Sequence, residues 1–210
     1  MLFYPGISMM GPDPSEFLKN LTDGMRAFLL ISTIVFQWAI FGLNYLAVYW
    51  ESTGLAGLGL RKPRMIHVAW GLAFWLAAIA ILSGLGWLLA QVGLELPGEV
   101  GMLIPTDTFG RILWVLVSIT AGFCEEVAFR GYLMTRLRLL LKTDSWVLPT
   151  IVSAVIFGVC HTYQGMAGFI LISIYGVMFS LLYIRTGSLW PGIIAHFLQD
   201  FMYLFVPLDV

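Results

Sequence analysis

Apolar positions in this chain come in long blocks, not in the alternating or one-sided patterns of a water-soluble fold. A membrane-spanning helix needs about 20 mostly apolar residues. Blocks of that kind run over 25–50, 66–92, 112–129, 147–163, 166–184 and 189–206. The third block continues into a basic stretch with Arg130, Arg136, Arg138 and Lys142. Very short turns, 161–166 and 185–188, join the last three blocks, which favours antiparallel neighbours in one bundle. The pattern predicts an all-α fold, a polytopic membrane helix bundle of about six transmembrane helices. It divides the chain into an N-terminal extramembrane segment (1–24), two helices with their loops (25–110) and a transmembrane core (111–206) that carries the chemistry discussed below.

Composition sharpens this picture. Of 210 residues, 60% are hydrophobic and 11% charged, with a mean hydropathy of +0.90. A soluble domain has about 25% charged residues, so too little polar surface exists here to cover a soluble globule. The formal net charge of −1 gives no reason to expect a nucleic-acid partner. The first 23 residues hold Pro5, Pro12, Pro14, Asp13 and Glu16, and lack a basic stretch followed by an apolar core. They do not form a cleavable signal peptide, and the first apolar block is expected to act as its own insertion signal.

Loop charge predicts orientation. Arg61, Lys62 and Arg64 follow the first block, Arg136, Arg138 and Lys142 follow the third, and Arg185 follows the fifth. The loop after the second block is acidic, with Glu95, Glu99 and Asp107 against Arg111. If six segments alternate, all three basic clusters fall on one side. That side is expected to be cytoplasmic, with both termini outside, in a multi-pass protein of a bacterial or archaeal cytoplasmic membrane.

Against this apolar background the ionisable residues stand out. A charge near the centre of a bilayer costs on the order of 3 kcal/mol by insertion scales, yet Glu125 and Glu126 lie together inside the third block. Neighbouring residues on a helix point about 100° apart. Glu126 and Arg130 are four apart with the acid first, the favoured order for a helix ion pair. Glu126 is thus assigned to Arg130, and Glu125 points elsewhere. His161 ends the fourth block one turn after Phe157, and His196 and Asp200 share a face of the sixth. Buried polar groups need partners, so Glu125, His161, His196 and Asp200 are expected to meet around a water-containing pocket. A carboxylate there can act as general base, an imidazole can hold the attacking water, and a second imidazole can donate to a developing oxyanion.

Glu125-Glu126-x-x-x-Arg130, Phe157-x-x-x-His161 and His196-x-x-x-Asp200, in this order on three membrane segments, resemble the CAAX-protease and bacteriocin-processing family. Ras-converting enzymes and bacterial Abi-type membrane proteases belong to it. The context Gly122-Phe-Cys-Glu-Glu-Val-Ala-Phe-Arg-Gly-Tyr-Leu133 and Gly187-Ser-Leu-Trp-Pro-Gly-Ile-Ile-Ala-His196 is similar too. The resemblance covers about 110–205 and implies an intramembrane endopeptidase with an α-helical core, acting on a membrane-attached protein or peptide. It implies Glu125 as the base that activates water, with His161 beside it, and His196 and Asp200 as oxyanion stabilisers. Glu126 and Arg130 support the site, as does Phe157. Many members carry asparagine where this chain has Asp200. An ionised aspartate cannot donate a hydrogen bond, so Asp200 either is protonated in the pocket or, the preferred expectation, orients His196 and stabilises its charged form.

Other readings fit some of the same residues. The resemblance favours glutamate catalysis with no metal or other cofactor, but Glu125, His161 and His196 are also a plausible zinc set. Membrane carboxylates and histidines also build the relays of proton-coupled transporters, although no internal repeat is evident. A non-catalytic immunity protein would keep the same fold. Cys124 and Cys160 match no metal-ligand spacing and are read as small core residues, with no disulfide framework. Ser118, Thr120 and Ser153 lack a nucleophile-elbow motif. His67 is expected at the membrane interface, and Gly84 and Gly86 are expected to permit close helix contact.

Overall fold

The structure, a computed structural model, describes residues 20–96, 101 and 103–205. The expectations that fall on the first 19 residues, on Glu99 and on Val206 lie outside these residues. Helix α1 spans Asp23–Trp50, α2 Met65–Gln91 and α3 Thr108–Glu126. The last continues through a π-helical segment, Val127–Met134, into α4, Thr135–Leu140. Then come α5 (Val147–Val159), a short 3-10 turn (Thr162–Gln164), α6 (Gly165–Thr186) and α7 (Trp190–Met202). Among the described residues there is no strand.

Local chemistry marks the starts. The Thr22 hydroxyl accepts from the Met25 amide at 3.3 Å, and Asp23 pairs with Arg26 at 2.7 Å in the first turn of α1. Asp107 accepts from the Gly110 amide at 2.9 Å ahead of α3. His67, expected at the interface, is buried in the first turn of α2, where Nδ1 accepts from the Arg64 amide at 3.2 Å.

The bundle has six helical stretches, as expected. Among the described residues, four stretches are long and apolar enough by themselves to cross a membrane: Asp23–Trp50, Met65–Gln91, Thr108–Leu140 and Thr162–Thr186. Helices α5 and α7 have 13 residues each. At 1.5 Å per residue each reaches only about 20 Å, short of the roughly 30 Å hydrocarbon core. Both lie against the long helices instead. Pro191, preset for a first helical turn, helps fix the start of α7, which ends in turns at Tyr203–Phe205.

Helix α3 is the centre of the bundle. In the stretch Thr108–Leu140 that it begins, 67% of the most apolar part is buried, against 6% for α2. It packs between α1 and α7, while α2 lies on α7 and α6, and α5 lies on α6. Helix α1 buries one stripe, Leu30, Thr33, Gln37, Asn44 and Val48, and exposes Phe28, Val35, Leu43 and Tyr49. Such an apolar exterior suits lipid. The close helix contact expected at Gly84 and Gly86 is not found there. A methyl group on Gly84 would meet nothing within 4 Å, and one on Gly86 only the Leu171 side chain at 3.8 Å. The tight crossing of α2 is at Gly71, where that methyl would meet Ile194 at 2.9 Å and the Pro191 carbonyl at 3.0 Å.

The basic clusters share one end of the molecule. Arg136 pairs with Glu51, joining the end of α1 to α4. The Leu189 amide donates to the Gly59 carbonyl at 3.1 Å, and Trp190 Nε1 donates to the Arg61 carbonyl at 2.6 Å. These bonds join the loop after α1 to the turn that follows Arg185.

Candidate active site

The glutamate pair sits near the middle of the longest helical stretch, just before the backbone widens into its π-helical segment. Such widenings are frequent at functional sites. The side chains of neighbouring elements satisfy carbonyls in the widened stretch: Ser153 donates to Phe129 O at 2.9 Å, and Thr135 donates to Tyr132 O at 3.0 Å.

Glu126 turns toward Arg130, as the spacing predicts, with Nη1 donating to Oε1 at 2.9 Å. Arg130 is 0% exposed. Its Nη2 donates to the Gly176 carbonyl at 3.2 Å, and its guanidinium lies 4.3 Å from the Phe157 ring centre and 4.9 Å from that of Phe179. A buried ion pair holds only when its remaining donors and faces find partners. Here the Gly176 carbonyl takes Nη2 and two aromatic rings cover the faces, while Nε has no hydrogen-bond partner among the described residues.

Helices α3 and α7 approach closely enough to bring His196 onto this pair. A methyl group on Gly122, one turn before Glu126, would meet the Phe197 amide nitrogen at 2.9 Å and the Ile193 carbonyl at 3.0 Å. One on Gly192 would meet Glu126 Oε2 at 3.0 Å. Farther along the crossing, Trp114 Nε1 donates to the Asp200 carbonyl at 2.9 Å. His196 Nδ1 then lies 3.2 Å from Glu126 Oε1. A carboxylate only accepts, so Nδ1 carries the proton. Nε2 faces two more carboxylates, Glu125 Oε2 and Asp200 Oδ2, each at 3.8 Å. The group that orients the His196 ring by a hydrogen bond is therefore Glu126. Asp200, expected in that role, stands at ion-pair range of the other nitrogen.

His161 joins the cluster through Phe157. Its Nδ1 lies 2.7 Å from the Phe157 carbonyl, which fixes the proton on Nδ1 and leaves the lone pair of the neutral ring on Nε2. The Phe157 ring meets His161 edge-on at 4.8 Å and His196 edge-on at 6.1 Å, measured between ring centres. It thus separates the two imidazoles while it covers Arg130. His161 lies at the C-terminal end of the short α5. A full-length span would carry it onward to the membrane surface.

Glu125 is 3% exposed. One oxygen, Oε1, accepts from Gln37 Nε2 at 2.6 Å, while Oε2 has no hydrogen bond to any described residue. Gln37, on α1, is a site contact that the motif reading misses. Its signal is an amide in the middle of the first apolar block, where a buried polar group implies a partner. Phe179, stacked on His196 at 5.3 Å, is also missed, because an aromatic in a membrane helix carries no distinguishing signal.

The remaining candidates stay structural. Ser118 donates to Trp114 O at 2.8 Å, and Thr120 accepts from Trp38 Nε1 at 3.3 Å. Cys124 and Cys160 are free thiols. Among the described residues, no three His, Cys, Asp or Glu side chains are arranged to hold a metal ion.

The fold and the cluster define an integral membrane helix bundle with carboxylates and imidazoles gathered in its interior. The family model described as Rce1-like, type II CAAX prenyl endopeptidase Rce1-like, matches residues 107–202. The match spans somewhat less than half of the chain and contains every motif residue from Glu125 to Asp200. This stretch is similar to the Rce1-like family, whose members are membrane proteases, in agreement with the resemblance drawn from the motifs. No curated protein and no solved structure matches the chain.

Proposed function

We propose that this protein is an intramembrane endopeptidase of glutamic type that cuts a membrane-attached protein or peptide. The observation that carries the reading is Glu125 Oε2, buried, without a hydrogen bond to any described residue and 3.8 Å from His196 Nε2. In this reading Glu125 Oε2 takes a proton from water as the water oxygen bonds to the scissile carbonyl carbon. His161 Nε2 accepts from the same water and orients it. His196 donates from Nε2 to the oxyanion, and Glu126 keeps its ring in place. The C–N bond then breaks, and the proton held by Glu125 goes to the leaving amine.

The family description supports a substrate with a lipid-modified C-terminus. A site buried in the bundle suits a peptide delivered from the membrane. The shared end of the basic clusters supports a cytoplasmic placement of that end.

The test uses the full chain in liposomes with a prenylated, internally quenched peptide. Glu125→Gln and His161→Ala are compared with wild type at matched protein levels. A positioned general base contributes about 10²–10⁴-fold, so Glu125→Gln should lower kcat by that order. Undiminished cleavage in both variants would overturn the reading. Mass spectrometry of membrane-protein termini, with and without the chain, then identifies the natural substrate.

A further inference from the structure

We propose that Gln37 is a positioning residue that selects which oxygen of Glu125 acts as the base. This inference rests on the reading of Glu125 as the base, and it gives α1, outside the matched stretch 107–202, a part in the reaction. Gln37 is 1% exposed, and Glu125 is the partner of its side chain among the described residues. An amide buried in a membrane helix with a single such partner is an expensive choice for packing alone.

The surroundings hold this contact in register. Trp38, the next residue, donates from Nε1 to the Thr120 hydroxyl at 3.3 Å and stacks on Phe123 at 5.8 Å between ring centres. Phe41, one turn along α1, meets the same Phe123 ring at 5.2 Å. The α1 face that carries Gln37 is therefore fixed against the α3 turn that carries Glu125. An ionised carboxylate accepts and never donates, so the amide presents Nε2 to Oε1. A carboxylate tied by neither oxygen can rotate and offer either one. With Oε1 held, Oε2 is the oxygen that stays toward His196.

Charge reaches Glu125 from every other side. Arg130 and Glu126 come from α3 and its continuation, His161 follows α5, and His196 and Asp200 come from α7. The thiols of Cys124 and Cys160 also lie within electrostatic range. Helix α1 contributes a neutral donor, which holds one carboxylate oxygen without adding a counter-charge.

Gln37→Met keeps the length of the side chain and removes both hydrogen-bonding groups. In proteoliposomes with the prenylated peptide, its kcat should fall about 10- to 100-fold with KM nearly unchanged, the loss of a hydrogen bond to a charged group. Gln37→Glu is the second variant. Its protonated carboxyl can still donate to Glu125, so activity should survive at low pH and fall as pH rises. A purely structural role would lower the yield of folded protein and leave kcat per folded molecule and the pH limbs in place. Gln37→Met with wild-type kcat, beside an inactive Glu125→Gln, would overturn this proposal alone. Should Gln37→Met fail to accumulate, a wild-type profile for Gln37→Glu would overturn it equally. A fully active Glu125→Gln would instead overturn the reading of Glu125 as the base.

Discussion

Arg130 carries its charge with no exposure to solvent, and everything around it is arranged for that charge. Glu126 neutralises it, the Gly176 carbonyl takes a second donor, and Phe157 and Phe179 cover its faces. Removing one member of a buried pair leaves the other uncompensated, at about 3–5 kcal/mol. Arg130→Met should therefore destabilise the protein by that order, read as a lower thermal midpoint in detergent. The double variant Arg130→Met with Glu126→Gln should recover part of the loss. Asp200 poses a different question, because it stands 3.8 Å from His196 Nε2 and makes no hydrogen bond to it. In the proposed reaction its part is to act on His196 through charge. An anion at that range favours the protonated imidazole. Asp200→Asn removes the anion, so His196 would give up its proton at lower pH. The alkaline limb of kcat/KM should move down by about one unit. An unmoved alkaline limb in a pH–rate series would refute a charge role for Asp200.

At the scale of elements, the crossing of α3 and α7 decides whether the site exists. Gly122 faces backbone of α7, which cannot yield as a flexible side chain can. Gly122→Ala should push the two helices apart and cost about 1–3 kcal/mol as overpacking. It should also lengthen the Glu126–His196 contact and lower kcat. Gly84→Ala on α2 is the control, since its methyl meets nothing. It should be neutral, or stabilising by up to about 1 kcal/mol through helix propensity. Thermal melts of the two variants check both predictions. The same contrast shows what is legible in sequence. Glu125, Glu126, Arg130, His161, His196 and Asp200 stand out as polar intrusions in apolar blocks, and helical spacing pairs Glu126 with Arg130. The lengths of α5 and α7 are not legible, because the turns that end them, Cys160–Tyr163 and Tyr203–Phe205, are nearly as apolar as the helices. Nor does spacing reveal which glycine faces a neighbour. Gln37 is visible as one of two amides in its block, with Asn44, but its partner lies 88 residues away, and only the packing of α1 on α3 joins them.

At the scale of the whole molecule, the three basic clusters meet at one end, so they should behave as one face toward label. Single cysteines at Lys62, Lys142 and Arg185, in a chain with Cys124 and Cys160 replaced, should all react with an impermeant maleimide from the cytoplasmic side. A cysteine at Gly93, at the opposite end of α2, should react from the other side. Labelling of the three basic positions from different sides would refute the shared end. One feature of the longest helical stretch links this end to the interior. The π-helical segment Val127–Met134 holds more residues per turn than the helix on either side. It sets the angular phase between the face that presents Glu125 and Glu126 and the face on which Arg136 meets Glu51. Wound as an unbroken α-helix at about 100° per residue, the same residues would set α4 at a different angle. The face that carries Glu125 and Glu126 would keep its neighbours, while Arg136 would swing away from Glu51. The widened segment thus works as a phase shifter, which lets one helix serve a buried polar cluster and a surface anchor that an unbroken α-helical repeat would set at other angles.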